Sequence, residues 1–123
     1  MDIPFTISPE AEGYLRERLA NDAVDGMEPS LTRAYRLEVR DKSGQLIERC
    51  DHEHFFLGYS PPANHSDFTY LEVLGLKLAI HPNTLEKLRG RVLSVQQLAR
   101  LDKPSVTRDI LVAIPIDENT PKV

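Results

Sequence analysis

A strand–helix–strand pattern in the second half of the chain most restricts what it can fold into. Apolar residues alternate at Leu76, Leu78 and Ile80, which predicts a strand with one buried face. A helix is predicted over Pro82–Leu88, because a proline in the first turn of a helix loses no hydrogen bond. Gly90 then suits the left-handed conformation that ends many helices. Apolar residues resume directly afterwards and predict another strand.

A second helix is predicted near the N-terminus, over Ser8–Ala20. Ser8 can accept a hydrogen bond from a free N–H of the first turn, and the proline after it favours a helical backbone angle. Acidic residues come first and arginines follow, which suits the helix dipole. Four apolar residues recur at helical spacing: Ala11, Tyr14, Leu15 and Leu19. We interpret this helix as a cover over one face of a sheet.

The rest of the chain is predicted to form strands and turns. Apolar and charged residues alternate around a turn at Asp41–Gly44, so Ala34–Asp51 is predicted as a β-hairpin. Further strands are predicted at His54–Tyr59, Phe68–Val73 and Ile110–Ile114. Asp25–Ser30 and Ser60–Asp67 are rich in turn-forming residues and are predicted as breaks, the second as an exposed loop. Gln96–Leu101 is compatible with a helical turn or with a continued strand.

Size and composition place the chain among soluble single-domain proteins. Its 123 residues are 41% hydrophobic and 28% charged, which is enough for one domain with its own core. We assign residues 1–123 to one domain, with 117–123 as a loose tail, and expect a cytoplasmic location. The net charge of −4 disfavours nucleic acid as a partner, and no apolar run is long enough to span a membrane. With one cysteine, Cys50, no disulfide can form within the chain.

The order of these elements, and one segment in particular, resembles the HesB-like family of A-type iron–sulfur cluster carriers. Residues Gly75–Leu85 read Gly-Leu-Lys-Leu-Ala-Ile-His-Pro-Asn-Thr-Leu, where that family has a Gly-Val-Lys-Val strand followed by Asp-Pro-Lys-Ser-Leu. The similarity extends over Phe5–Ile116 and is most specific over Leu74–Leu88. It implies an α+β fold, namely a compact β-rich sandwich of mixed and antiparallel strands with two short helices.

The same resemblance implies that cluster binding has been lost. The carriers hold their cluster through three cysteines, one before a Ser-Gly pair in the first hairpin turn and two in a C-terminal Cys-Gly-Cys tail. Lys42 stands at the first of these positions, and the chain ends over Asp117–Val123 without cysteine. Cys50 matches none of the three. Because cluster iron needs thiolate ligands, we expect no iron–sulfur cluster. We expect no other cofactor either.

Two histidines, His52 and His54, are the strongest candidates for metal chemistry. On a strand they would point to the same face and could hold a metal such as zinc or nickel. Two ligands do not complete a site. The candidates for a third ligand are Glu38, His65 and His81. The competing interpretation is a charged, solvated strand end.

Two further features allow more than one interpretation. Cys50 is a reactive thiol, a cross-link between two chains, or a small buried hydrophobic residue, and the last of these is the commonest. Arg36, Arg40 and Lys42 form either a small anion site or the solvated face of a strand.

We therefore predict a non-catalytic binding or accessory module that acts through a protein partner or as a homodimer. One alternative is a divergent metal- or iron-binding protein that uses His52, His54 and a carboxylate. Another is a small enzyme that uses His65 or His81 in a site that no sequence motif reveals.

Overall fold

The computed structural model describes residues 3–21 and 23–116, and this part of the chain forms nine strands and two α-helices. In chain order the elements are β1 (Thr6–Ile7), α1 (Pro9–Asn21), β2 (Glu28–Ala34), β3 (Leu37–Arg40), β4 (Leu46–Cys50), β5 (His54–Ser60), β6 (Thr69–Val73), β7 (Leu76–Ile80), α2 (Pro82–Leu88), β8 (Arg91–Ala99) and β9 (Thr107–Pro115). The prediction of a β-rich α+β fold with two helices is confirmed. Neither helix is long and apolar enough to cross a membrane.

Seven of the strands form one curled, mixed sheet in the order β1-β8-β9-β5-β2-β7-β6. The pairs β1–β8 and β2–β7 are parallel, whereas the other pairs in this sheet are antiparallel. The β5–β9 pair has a single register position, Phe55 opposite Leu111, so the two sides of the sheet diverge around that point. Strands β3 and β4 form a separate hairpin, as the sequence predicted.

The core lies beneath α1 and within the curl of the sheet. Three residues of the predicted apolar stripe on α1, namely Ala11, Leu15 and Leu19, are buried. The helix packs against β8 and so covers one face of the sheet, as predicted. The other core side chains include Leu31, Phe55, Leu78, Ile80, Leu88, Leu93 and Leu111.

Both helices begin with side-chain caps, and the sequence indicated the one at Ser8. Ser8 Oγ accepts a hydrogen bond from the Ala11 N–H at 3.1 Å, and His81 Nδ1 accepts one from the Asn83 N–H at 3.1 Å. Gly90, with φ of 72°, follows the end of α2 in the predicted left-handed conformation. These local contacts explain why both helices lie close to their predicted limits.

Strand β2 is the main error of the sequence prediction, which treated Glu28–Ser30 as a break. The strand lies between β5 and β7, and Leu31 at its centre is fully buried. Pro29 is the second residue of β2, near a strand start, where a missing N–H is tolerated. The parallel pairing with β7 begins only at Ser30.

Three other segments also differ from or complete the prediction. In β7 the predicted buried face holds Leu78 and Ile80, but Leu76 is 44% exposed, and Ala79 on the opposite face is fully buried. Ser60–Asp67 was predicted as an exposed loop, but it contains a 3₁₀ turn at Pro62–His65, and the His65 side chain is buried. Gln96–Leu101 continues strand β8 as far as Ala99, rather than turning into a helix. The predicted tail at 117–123 lies outside the described residues.

Candidate functional site

An open cleft of about 480 Å³ lies beside the point where β5 and β9 diverge. Strands β2 and β3 and helix α1 also contribute to its walls. We call it the arginine cleft and define it by the polar side chains that line it: Tyr14, Arg18, Arg36, His54, Arg108 and Asp109. Its apolar lining includes Leu37, Phe55, Phe56 and Ile110. The cleft therefore places three cations next to aromatic and aliphatic surface.

Carboxylates orient two of the three arginines of the cleft. Arg36 contacts Glu38 Oε1 through Nε at 3.1 Å and through a terminal nitrogen at 2.8 Å. Arg108 Nε lies 3.0 Å from Glu48 Oε2, an oxygen that has no hydrogen-bond partner among the described residues. The Arg108–Glu48 contact is thus an ion pair without hydrogen-bond geometry. Since Glu48 is buried, Arg108 supplies the charge that compensates it.

The third arginine belongs to helix α1. The Arg18 guanidinium carbon lies 5.3 Å from the centroid of the Tyr14 ring, within the range of a cation–π contact. Tyr14 and Arg18 are four residues apart and so share one face of the helix. That face forms one wall of the cleft, so the helix that covers the core also contributes to the site.

Cys50 lies behind the cleft, against both candidate metal ligands. Its thiol is buried, and Sγ lies 3.6 Å from His54 Nδ1. The same Nδ1 lies 2.9 Å from the His52 carbonyl oxygen. Because a carbonyl only accepts, His54 Nδ1 carries a proton and donates it there. This nitrogen therefore has no lone pair for the thiol proton or for a metal.

The contact between Cys50 and His52 is also unsuited to catalysis or to metal binding. Sγ lies 3.6 Å from His52 Nδ1 and 3.5 Å from Nε2. A donor or metal that bonds to one ring nitrogen lies along the lone pair of that nitrogen and is therefore far from the other ring nitrogen. Because the two distances here are nearly equal, the sulfur packs beside the ring and lies on neither lone pair. The His52 Nδ1–H donates to the Glu53 carbonyl at 3.1 Å. The three side chains form a packed cluster.

The structure corrects the assumption that His52 and His54 share one face of a strand. Strand β5 begins at His54, whereas His52 lies in the bend before it and is exposed. The proposed third ligands are engaged elsewhere: Glu38 with Arg36, His65 with Glu28, and His81 in the cap of α2. Within the described ranges, no group of three or more His, Cys, Asp or Glu side chains is placed to hold a metal. Metal binding by His52 and His54 stays a prediction.

A second polar cluster connects β2, the 3₁₀ turn and β6. Glu28 Oε2 accepts hydrogen bonds from Tyr70 Oη at 2.6 Å and from His65 Nδ1 at 3.2 Å. Both hydrogen bonds lower the pKa of Glu28, and the one from Tyr70 has the larger effect. The same bond between Tyr70 and Glu28 raises the pKa of Tyr70. Phe68 packs against His65 at 4.8 Å between ring centroids. The cluster fixes the 3₁₀ turn against the sheet, which is a structural role.

The cations of the hairpin do not form the anion site that was one interpretation of the sequence. Arg36 and Arg40 both approach Glu38, at 2.8 and 3.8 Å. In the adjoining turn, Asp41 accepts hydrogen bonds from the Ser43 hydroxyl and from two backbone N–H groups, and these lower the pKa of its carboxyl. Lys42 is exposed in that turn. Of these cations, Arg36 lines the cleft.

No family model matches the sequence, and no curated protein matches it. The candidate site therefore depends on the geometry of this chain. Sequence reasoning missed Tyr14, Arg18 and Arg108 as site residues, because they come from distant segments and form no motif. The spacing of Tyr14 and Arg18 on one helical face could have indicated those two residues, but no sequence signal indicated Arg108.

Proposed function

We propose that this protein is a non-catalytic binding module, with a HesB-like fold that has lost iron–sulfur cluster binding and a cytoplasmic location. It acts through a bound ligand, a protein partner or a second copy of itself. The β-rich mixed sheet and the two capped helices are compatible with the HesB-like part of the proposal, and Lys42 in the hairpin turn is compatible with the loss of a cluster ligand there.

One observation carries the proposal, namely the position of His54 between Cys50 and the arginine cleft. His54 contacts the cysteine sulfur on one side and lines the open cleft on the other. The cleft therefore presents phenol and guanidinium groups beside the buried imidazole of His54, and the chain's one thiol is closed in behind that imidazole. Such a surface suits the binding of a polar ligand, whereas a cluster needs accessible thiolates.

The test is purification without oxygen followed by reconstitution with iron and sulfide. We expect no stoichiometric cluster, because each chain offers one buried thiol. A visible charge-transfer band equivalent to one cluster per two chains, lost in Cys50→Ser, would overturn the proposal. Metal analysis of the same samples separates the metal-binding alternative. Iron or zinc retained by the purified chain and lost in His52→Ala would favour that alternative instead.

A further inference from the structure

We infer that the arginine cleft binds a small organic anion, a molecule that joins one phosphate or carboxylate group to a flat ring. This inference rests on the proposed binding role and names the ligand class. Three features of the described residues carry it: the charge of the lining, the way the arginines are held, and the apolar wall beside them.

The lining carries three arginines against one carboxylate, Asp109, in a chain whose net charge is −4. The lining by itself therefore has a formal excess of two positive charges. The carboxylates of Glu38 and Glu48 stand next to two of the arginines and offset their charge. With Asp109 they balance the three cations, so a polyanion such as nucleic acid gains little. A single anionic group that also accepts hydrogen bonds fits better.

Arg36 keeps hydrogen-bond donors for such a group. A guanidinium has five N–H bonds, and Arg36 directs two of its three nitrogens at Glu38. Its side chain is 69% exposed, so the remaining N–H groups are open to a ligand. Phosphate and carboxylate oxygens are the acceptors that a guanidinium binds most strongly. The ion pair with Glu38 limits the rotation of Arg36 in advance, which lowers the entropy cost of binding.

The ring of the ligand has a matching apolar wall. Phe56 is 46% exposed, although it is a large aromatic residue, and it lies in the cleft lining with Tyr14 and Ile110. Phe55, which is buried, adds further apolar lining. A volume of about 480 Å³ falls within the range of sites for small molecules. Aromatic walls beside a few polar groups are typical of such sites.

The test is an NMR titration of the ¹⁵N-labelled full chain with four probes. Adenosine monophosphate and benzoate carry a ring with a phosphate or a carboxylate, adenosine carries the ring alone, and inorganic phosphate carries the charge alone. We expect saturable shifts of the Tyr14, Phe56 and Ile110 amide signals with one or both ring anions. Adenosine and inorganic phosphate should each bind at least about tenfold more weakly, because each lacks one half of the contact.

Two pairs of variants localise the site. Arg36→Gln should weaken binding about tenfold, the equivalent of one charge-assisted hydrogen bond. Arg89→Gln is its control, since Arg89 also pairs with an exposed glutamate but lies outside the cleft. Arg18→Gln should weaken binding likewise, and Arg16→Gln on the same helix should not. Unchanged melting temperatures would show that each variant is folded.

Three results would overturn the inference. These are no saturable shift with either ring anion at millimolar concentration, phosphate alone binding as tightly as both ring anions, and equal weakening in Arg36→Gln and Arg89→Gln. If any of these results is obtained and neither a cluster nor a metal is found, the inferred ligand class is wrong and the proposed function still stands. A stoichiometric cluster would instead remove the proposed function, whatever the titration shows.

Discussion

Leu78→Ala tests both the register of β7 and the position of the core. Leu78 is 1% exposed and lies opposite Leu71 of the edge strand β6. The substitution removes three buried carbon atoms, which at about 0.8 kcal/mol each give roughly 2.4 kcal/mol of lost burial. The cavity left behind adds to this loss, so we expect a total of about 2–5 kcal/mol. Since a whole domain is stabilised by about 5–15 kcal/mol, the variant should fold with a much lower midpoint of unfolding.

Lys77→Ala is the matched control, because Lys77 directly precedes Leu78 in the same strand and points to the other face. Its ammonium group lies 4.3 Å from the centroid of the Tyr70 ring, a contact worth about 0.5–1 kcal/mol at an exposed site. Urea unfolding of both variants compares the two losses, provided that the slope of the transition stays constant. Equal midpoints, or the larger loss in Lys77→Ala, would refute the register, since a slip of one residue exchanges the faces.

Two further predictions concern the helix cap and the polar cluster around Glu28. Ser8→Ala should cost about 0.5–2 kcal/mol in thermal unfolding, because the Ala11 N–H loses its acceptor; a variant as stable as the parent would contradict the assigned cap. The pKa of Glu28 is lower in the folded chain than its ordinary value, so its contribution to stability is present above that value and is lost as the pH falls. Glu28→Gln should therefore reduce the acid dependence of the denaturant midpoint, and an unchanged pH profile would argue against the hydrogen bonds from Tyr70 and His65.

The elements that the sequence predicted well are those whose stabilising contacts are local. Both helix caps join residues two or three apart, and the left-handed turn at Gly90 depends on a single residue. The hairpin of β3 and β4 likewise follows from turn chemistry around Asp41 and from alternation on either side. Such contacts depend on neighbouring residues, so a sequence pattern is enough to predict them.

Strand β2 shows where that reasoning fails. Its first residues include Pro29, which disfavours a strand on local grounds, yet Leu31 is fully buried between β5 and β7. The ladder with β5 and the parallel contact with β7 override the local preference, and neither partner is adjacent in the sequence. His65 was misplaced for the same reason, since its burial depends on a carboxylate of β2 that lies 37 residues earlier.

Apart from the helical spacing of Tyr14 and Arg18, periodicity could not have predicted the arginine cleft, because the cleft results from a change of strand partner. Strand β9 meets β5 at one position, Phe55 opposite Leu111, but it pairs with β8 along its whole length. Arg108 and Ile110 are therefore paired with β8 on one side of the strand, whereas β5 diverges from them on the other side. In the sequence these residues resemble an ordinary strand, and the histidines are the clearest candidates for chemistry. Once the register is known, the open space lies beside the arginines, and the histidine nearest to it, His54, is already engaged by a carbonyl and a thiol.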